Sequence, residues 1–343
     1  MAARTLHTAG ITGVGMDFPS RVVTNRDLEA IVDTNDQWIV ERTGIRERRI
    51  AEPGVGASHH GALAARAALA QAGVAAADVD LIIVPTVTPD MLFPSTACIL
   101  QNELGAERAW GYDLSGACSG FIYALQAARA QVETGFARRV LVVGTEVMST
   151  ILDWEDRNTC ILFGDGAGAV VVEGLPPERE GIIDSLCWVD GSGGPLLNMP
   201  AGGSRLPASA ETVAAKQHTV YQEGREVFKH AVRGMAQVTV EILERNGVPP
   251  RDVALFVPHQ ANIRIIEGVQ KRLQLSDEQV MITIDRFGNT TSASIPTSLR
   301  VAQREGRLAE GDLVVLASFG AGFTCGATLL RWTARNGGRT ETA

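Results

Sequence analysis

One cysteine of this 343-residue chain has a position suited to nucleophilic chemistry. Cys118 lies in the small-residue turn SGACSG, after the strand-like AWGYDL and immediately before the apolar segment FIYALQAARAQV. This order predicts a cysteine at the start of a helix, where unpaired amides and the positive end of the helix dipole favour a thiolate. The alternative is a buried structural cysteine in a tight turn.

A nucleophile of this kind needs a partner, and two residues in the second half of the chain are candidates. His259 ends the strand-like ALFVP, and α/β sheets place ligands at the carboxyl ends of strands. Asn289 lies in RFGNTTSAS, another small-residue turn before an apolar segment. A histidine satisfied by structural hydrogen bonds is the alternative for His259.

An approximate internal repeat relates these positions. The matching pairs are ADVDLIIVPT with RDVALFVPHQ, GYDLSGACSGFIYAL with ITIDRFGNTTSASIPTSL, and FGDGAGAVVVE with FGAGFTCGATLLR. The first pair matches Thr86 with His259, and the second matches the turn of Cys118 with the turn of Asn289. Three matches in the same order predict two similar α/β halves, whose pseudo-symmetry would bring Cys118 and Asn289 face to face.

Apolar runs and helical periodicity indicate the elements that must position these residues. Strands are expected at 81–87, 139–145, 168–174, 254–260, 280–285, 313–319 and 327–332. Because these runs are almost continuously apolar, they predict a buried and mostly parallel sheet. Helices are expected at 58–73 and 224–247, each closed by a glycine. The Gly/Pro-rich stretch 192–217 is expected to form a long surface loop, either a cap over a pocket or a linker.

Composition excludes several classes of protein. A net charge of -8 argues against general binding to nucleic acid or to an anionic membrane. No run approaches the roughly 20 apolar residues of a membrane helix, and the N-terminus lacks the apolar core of a signal peptide, so a cytoplasmic protein is expected. The five cysteines form no metal-binding spacing, and the Gly-rich turns at 164–168 and 320–322 fit neither GxGxxG nor GxxxxGK[ST]. No metal or cofactor is expected.

The chain resembles the β-ketoacyl-acyl-carrier-protein synthase III family, the initiating condensing enzymes of bacterial type II fatty-acid synthesis, from about Ile11 to Trp332. The motifs that carry the resemblance are DTNDQWIVERTGIRERR, DLSGACSGF, ILFGDGAGA, AGGSRLPAS, EVFKHAV, VPHQANIRI, RFGNTTSASIP and SFGAGFTCG. The resemblance implies a thiolase-like α/β fold whose two duplicated halves form a five-layered α-β-α-β-α sandwich. Residues 1–180 would carry the cysteine, 181–335 the histidine and asparagine, and 336–343 would be a flexible tail.

The same resemblance implies a division of roles. Cys118 would accept an acyl group, acetyl in the common members, from a coenzyme A thioester. His259 and Asn289 would donate hydrogen bonds to the thioester carbonyl of malonyl-acyl-carrier protein, whose decarboxylation yields the carbanion that attacks acyl-Cys118. The backbone amides of Cys118 and Ala321 would form the oxyanion hole for that attack. The product would be a 3-oxoacyl-acyl-carrier protein.

Binding residues are also implied by the resemblance. Those for coenzyme A are Thr34, Trp38, Arg42, Arg157 and Asn262; those for the acyl pocket are Phe93, Leu162 and Phe163; those for acyl-carrier protein are Lys229, Arg264, Lys271 and Arg272. Phe93 would cross the interface of a homodimer to line the partner's pocket. Packing is the alternative role for Trp38, and solvated surface charge is the alternative for the cationic residues.

Other functions stay open at this stage. A synthase-III-like acyltransferase, or a starter-unit condensing enzyme of secondary metabolism, would keep the same three catalytic residues. A non-catalytic scaffold that binds carrier protein predicts the loss of at least one of them, and none is lost. Ala321, Gly116 and Cys325 depart from the commonest family pattern, which affects the expected length of the acyl primer more than the reaction type.

Overall fold

The computed structural model describes residues 7–335, which form thirteen strands and ten α-helices. The strands are β1 (Thr8–Asp17), β2 (Val22–Thr24), β3 (Glu47–Arg49), β4 (Leu81–Pro85), β5 (Trp110–Leu114), β6 (Arg139–Glu146), β7 (Gly166–Leu175), β8 (Ile182–Val189), β9 (Leu197–Asn198), β10 (Tyr221–Gln222), β11 (Leu255–Pro258), β12 (Leu313–Gly320) and β13 (Thr324–Arg331). The helices are α1 (Asn25–Glu29), α2 (Asp36–Thr43), α3 (Ala57–Ala72), α4 (Thr96–Leu104), α5 (Gly120–Glu133), α6 (Ala210–Ala214), α7 (Gly224–Arg245), α8 (Ile263–Leu273), α9 (Ile284–Phe287) and α10 (Ser294–Arg304). The expected tail, 336–343, lies outside the described residues.

Two large sheets form the framework. The first has the strand order β1-β7-β6-β4-β5, and the second has the order β11-β12-β13-β8. The expectation of a mostly parallel sheet was wrong, because β4–β5, β4–β6 and β11–β12 are parallel whereas β1–β7, β6–β7, β12–β13 and β8–β13 are antiparallel. Continuous apolar character reports that both faces of a strand are buried, and it carries no information about direction.

Helices separate and cover the two sheets. The core between the sheets contains Phe121 and Leu125 of α5 and Ile295 and Leu299 of α10, so these two helices form the middle layer. Helices α3 and α4 cover the outer face of the first sheet, and α7 and α8 cover that of the second. The result is the expected five-layered thiolase-like sandwich. None of the helices within residues 7–335 has the length and apolar content of a membrane span.

The internal repeat is visible in the order of the strands. Strands β8, β13, β12 and β11 follow one another in the second sheet as β1, β7, β6 and β4 do in the first. The strand expected at 280–285 was wrong, since only Val280 makes a bridge, to Phe256. The side chain of Gln260 takes over its hydrogen bonds, because Oε1 accepts from the amides of Thr283 and Ile284 at 2.8 and 3.1 Å.

The two expected helices are present with their glycine ends. α3 is followed by Gly73 at φ 69°, and α7 is followed, after Asn246, by Gly247 at φ 65°. Both glycines adopt the left-handed conformation that ends many helices and that glycine reaches without steric cost. The stretch 192–217 is largely irregular, as expected, with β9 and α6 as short regular pieces.

Candidate active site

A cavity of about 970 Å³ lies between the two halves of the protein. Its walls include Cys118 from the first half and His259 and Asn289 from the second. These three residues are separated by up to 171 positions in the sequence, and the tertiary structure brings them to one chamber.

The turn that carries Cys118 is a single 3-10 turn, Ala117–Ser119, which leads directly into α5 as predicted. Two side chains of the second half hold this turn in place. Ser318 Oγ donates to the carbonyl of Cys118 at 2.6 Å, and Thr324 Oγ1 donates to the carbonyl of Gly116 at 3.1 Å. The position of the cysteine is therefore fixed by contacts between the halves as well as by its own helix.

The electrostatic surroundings of Cys118 differ from the expectation of a stabilised thiolate. Burial raises the pKa of the Cys118 thiol to about 12, and a negative charge on the nearby carboxyl group of Glu146 would act in the same direction. The helix N-terminus opposes this effect, but it does not replace the water that would solvate a sulfur anion. The free site therefore holds a thiol.

His259 is fully buried and has a single hydrogen-bonded ring nitrogen. Its Nδ1 lies 2.7 Å from Oγ of Ser294, the first residue of α10. When the Ser294 hydroxyl donates to Nδ1, the ring proton resides on Nε2, which is buried and has no hydrogen-bond partner among residues 7–335. Burial lowers the pKa of His259 to about 3, so the ring is a neutral donor.

Asn289 is fixed through its backbone and through one side-chain oxygen. Its amide donates to the carbonyl of Leu162 at 2.9 Å, and its carbonyl accepts from the amide of Gly164 at 3.1 Å. Side-chain Oδ1 accepts from the amide of Thr291 at 2.9 Å, which leaves Nδ2 as the free donor of the side chain. A side chain on Gly164 would come within 2.4 Å of the carbonyl of Phe287, so the FGDG motif needs glycine there.

The backbone of the turn after β12 lies against the nucleophile. Gly320 and Ala321 both line the cavity, and a Cβ on Gly320 would come within 2.7 Å of the Cys118 amide nitrogen. Only glycine permits this approach. Ala321 follows Gly320 directly in the chain and shares the cavity wall with Cys118.

The residues expected to bind coenzyme A cluster around Trp38. The guanidinium groups of Arg42 and Arg157 lie 4.6 and 5.3 Å from the centre of its ring. Asn262 caps α8 and donates from Nδ2 to the carbonyl of Arg42 at 3.0 Å. Trp38, Arg42 and Asn262 line the cavity, whereas Thr34 and Arg157 lie outside its lining.

The expected acyl-pocket residues fall into two groups. Leu162 and Phe163 line the cavity, but Phe93 does not. Phe93 is 84% exposed and lies beside Leu92, which is 85% exposed. A Phe93 side chain that points into solvent cannot complete the pocket of its own chain, and it is available to another copy.

The four expected docking cations lie on two helices that pack together on the outer face of the second sheet. Lys229 is on α7, and Arg264, Lys271 and Arg272 are on α8; all four are exposed. Lys229 also pairs with Glu226 at 2.7 Å. Of the four, Arg264 reaches the cavity wall, where its guanidinium lies 5.5 Å from the ring centre of Phe228.

Several residues at the site were not identified from the sequence. Ser294 was missed because a serine in a small-residue turn carries no chemical signal until its partner is known. Met199 and Tyr221 also line the cavity. Met199 lies in the stretch 192–217, which was expected to be a surface loop that caps a pocket or links the halves, and Tyr221 lies just after that stretch, in β10.

Comparisons with known proteins agree with this site. The family description 3-oxoacyl-[acyl-carrier-protein] synthase III matches residues 112–191, and its C-terminal counterpart matches residues 243–332. The β-ketoacyl-[acyl-carrier-protein] synthase III of Solibacter usitatus is 54% identical over 326 residues, which cover 94% of this chain and 98% of that protein.

Solved structures give the same result. The β-ketoacyl-[acyl-carrier-protein] synthase III of Thermus thermophilus is 46% identical, with a TM-score of 0.88 over 95% of this chain and 99% of the other. The priming β-ketosynthase of the R1128 polyketide pathway is 36% identical, with a TM-score of 0.90 over 97% of this chain and 99% of the other. The chain therefore belongs to the 3-oxoacyl-[acyl-carrier-protein] synthase III family, the acyl-transferring condensing enzymes that act in fatty-acid synthesis.

Proposed function

We propose that the chain moves an acyl group, acetyl in the first instance, from coenzyme A to Cys118 and then condenses it with malonyl-acyl-carrier protein. One observation carries this proposal. A buried thiol, a neutral histidine and an asparagine with a free amide donor line the same cavity. This is the set needed for a covalent acyl intermediate followed by stabilisation of an enolate.

In the first step, the sulfur of Cys118 attacks the thioester carbonyl of the acyl donor. A new sulfur–carbon bond forms, the bond to coenzyme A breaks, and the leaving sulfur takes the thiol proton. The negative charge that develops on the carbonyl oxygen is stabilised by the amides of Cys118 and Ala321. Because the free cysteine is a thiol, the proton moves during this step and not before it.

In the second step, the malonyl group loses carbon dioxide. The electrons of the broken carbon–carbon bond pass to the thioester, whose oxygen becomes an enolate oxyanion. His259 Nε2–H and Asn289 Nδ2–H donate to that oxygen, and both bonds strengthen as its charge grows. The enolate carbon then attacks the carbonyl carbon of acyl-Cys118 and a new carbon–carbon bond forms. The carbon–sulfur bond breaks as the 3-oxoacyl product forms, and the cysteine sulfur leaves as a thiolate that takes up a proton from water.

Trp38 provides a test of coenzyme A recognition. Its ring lies in the cavity wall between two guanidinium groups, an arrangement that suits stacking on adenine beside phosphates. We expect Trp38→Ala to cost about 1–2 kcal/mol of binding, which is a rise of roughly five- to thirty-fold in the KM for the acyl donor. Steady-state kinetics measures this directly.

Malonyl-acyl-carrier protein is the internal control for that variant, because it carries no adenine. Its KM should stay unchanged in Trp38→Ala. An equal rise in KM for both substrates would mean that Trp38 only packs the wall of the cavity.

The exposed cations of α7 and α8 support docking of acyl-carrier protein. An acidic partner needs a local positive surface on a chain whose net charge is -8. Lys229, Arg264, Lys271 and Arg272 supply four cations, and Arg264 places one of them where the surface meets the cavity. A phosphopantetheine arm delivered at that point can enter the chamber.

The proposed function also includes a homodimer and a location in the cytoplasm. The exposed apolar residues Met91, Leu92 and Phe93 support a homodimer in which Phe93 reaches the partner's acyl pocket. The two halves have proposed boundaries of 1–180 and 181–335, which agree with the strands that each large sheet contains. The proposed location is the cytoplasm, where malonyl-acyl-carrier protein would be available.

Intact-protein mass spectrometry after incubation with a mixture of acyl-coenzyme A esters tests the whole proposal. We expect one acyl group per chain, attached to Cys118 and released with carbon dioxide when malonyl-acyl-carrier protein is added. Acetyl as the preferred group fits an initiating enzyme of fatty-acid synthesis. A longer or branched group would favour starter-unit condensation, the role suggested by the likeness to the R1128 priming enzyme. No covalent adduct with any ester would refute the proposal.

A further inference from the structure

Glu146, the last residue of β6, is a fully buried carboxyl group with no assigned role. Oε2 accepts from the hydroxyls of Thr86 and Thr88 at 3.2 and 2.7 Å and from the amide of Val87 at 3.1 Å. Oε1 lies 2.8 Å from Oγ of Ser292. The carboxyl therefore connects a loop of the first half to the turn of the second half that follows Asn289.

The internal repeat relates Glu146 and Ser292 to two residues of the active site. The 3-10 turns Ala117–Ser119 and Thr291–Ala293 precede α5 and α10, and both begin with a residue at positive φ, 45° and 46°. Ser292 thus has the position in the second half that Cys118 has in the first. Strands β6 and β12 are both eight residues long, so Glu146 corresponds to Gly320.

The two halves of the internal repeat differ in the side chain at this position. In the copy that contains Cys118, Gly320 has no side chain and borders the open cavity. In the other copy, the Glu146 carboxyl occupies the equivalent place and touches the serine at the cysteine position. Ser292, in the turn Thr291–Ala293 that is equivalent to the turn of Cys118, is therefore covered by the Glu146 side chain instead of facing an open cavity.

A count of protons around Ser292 determines the state of that acid. Ser292 Oγ lies 2.8 Å from Glu146 Oε1 and also 2.8 Å from the carbonyl oxygen of Pro85. A hydroxyl has one proton, so it can donate to only one of these two acceptors. With an ionised carboxylate, one pair of oxygens would be left at 2.8 Å without a proton between them, in a buried site where such contacts are costly. A proton on Oε1 satisfies every group.

We propose that Glu146 is held in its protonated, neutral form and is a positioning residue for the active site. Its Oε1–H donates to Ser292, and Ser292 donates to the carbonyl of Pro85. This chain of bonds fixes the turn that carries Asn289 against the first half. The catalytic consequence rests on the role of Asn289 given under the proposed function, whereas the protonation state does not.

The electrostatics of the site agree with a neutral acid. Burial is the largest influence on the pKa of Glu146 and raises it; the hydrogen bonds donated by uncharged hydroxyls and one amide act in the opposite direction without reversing that rise. Cys118 is a titratable group that a charge on Glu146 would reach, and an ionised Glu146 would add to the rise that burial causes in the thiol pKa. A neutral Glu146 keeps that additional charge away from the nucleophile.

Infrared difference spectroscopy of the whole protein at neutral pH tests the protonation state. The carbonyl stretch of a protonated carboxylic acid should be present in the wild type, absent in Glu146→Gln, and shifted in Ser292→Ala, which removes the acceptor of the proton. Lack of any such difference between the wild type and Glu146→Gln would overturn the proposal. The measurement uses no substrate, so it is independent of the condensing reaction.

Two variants of the same residue test the positioning role. Glu146→Gln copies the neutral acid, because its amide can donate to Ser292 and accept from Thr86 and Thr88; malonyl decarboxylation should stay within about twofold of wild type. Glu146→Leu keeps the volume without the polar contacts, and decarboxylation should fall about tenfold or more. Equal decarboxylation rates in Glu146→Leu and the wild type would refute the role.

The pH dependence of Cys118 alkylation by iodoacetamide distinguishes a neutral Glu146 from an ionised one. Peptide mass spectrometry follows Cys118 in each sample, and exposed Cys98 is the matched control. The profile of Cys118 should be the same in the wild type and in Glu146→Gln. Faster alkylation of Cys118 in Glu146→Gln, with a midpoint moved to lower pH, would mean that a negative charge had been removed, and it would overturn the proposal.

Discussion

Replacement of Cys118 by alanine is expected to abolish the acyl-enzyme and to reduce condensation by at least about a thousandfold, since the sulfur that carries the acyl chain is removed. The fold should survive, because the second half holds this turn through the backbone carbonyls of Cys118 and Gly116 and not through the thiol. Mass spectrometry after incubation with acyl-coenzyme A measures the loss directly.

Cys98→Ala is the matched control for that experiment. Cys98 is exposed on α4, outside the cavity lining, so its replacement should leave acylation intact. Cys118→Ala should still decarboxylate malonyl-acyl-carrier protein, because His259 and Asn289 are unchanged. An acyl adduct on Cys118→Ala, at any of the four remaining cysteines, would show that the nucleophile has been assigned wrongly.

Removal of the Asn289 donor is expected to slow decarboxylation by about a hundred- to a thousandfold while acyl transfer to Cys118 proceeds. The first step does not use this amide, so the two half-reactions should separate. Release of carbon dioxide from malonyl-acyl-carrier protein and the mass of the acyl-enzyme report the two steps independently.

Two replacements of Asn289 distinguish a chemical role from a structural one. Asn289→Ala removes both the Nδ2 donor and the oxygen that accepts from the Thr291 amide. Asn289→Asp keeps an acceptor for Thr291 but has no Nδ2 donor, so its decarboxylation should be as slow as that of Asn289→Ala. Near-normal decarboxylation in Asn289→Asp would mean that the side chain only shapes the turn.

The pH dependence of malonyl decarboxylation follows from the lowered pKa of His259. Its pKa is lowered to about 3 by burial, so the ring stays neutral well below the usual histidine range. The decarboxylation rate of the wild type should therefore show no inflection near about pH 6.5, the ordinary histidine pKa. In the unfolded chain the same histidine binds a proton near that pH, so the free energy of unfolding should fall as the pH drops below it.

Local chemistry made much of the fold predictable. Gly73 and Gly247 followed helices as expected, because glycine adopts the left-handed conformation of many helix ends without steric cost. The strand predicted at 280–285 is absent because a residue distant in the chain decides the structure there. Its apolar pattern suits a strand, but the side chain of Gln260, about 20 residues earlier, satisfies its amides instead.

Residue types and their spacing were enough to identify the candidate chemistry: a cysteine at a strand-to-helix turn, a histidine at a strand end, an asparagine in a repeated turn, and motifs that assign the family. These are properties of residue type and spacing, which local rules describe. The tertiary structure alone revealed the strand directions and the meeting of Cys118, His259 and Asn289 in one cavity. It also showed that Gly320 lies beside the nucleophile, whereas its equivalent in the other half, Glu146, lies beside Ser292.

Protonation belongs to that second group as well. Position at a helix start suggested a thiolate at Cys118, whereas burial makes it a thiol and keeps His259 neutral. The physical reason is that the charge of a group depends on the water and the dipoles that surround it, and those are set by residues distant in the chain.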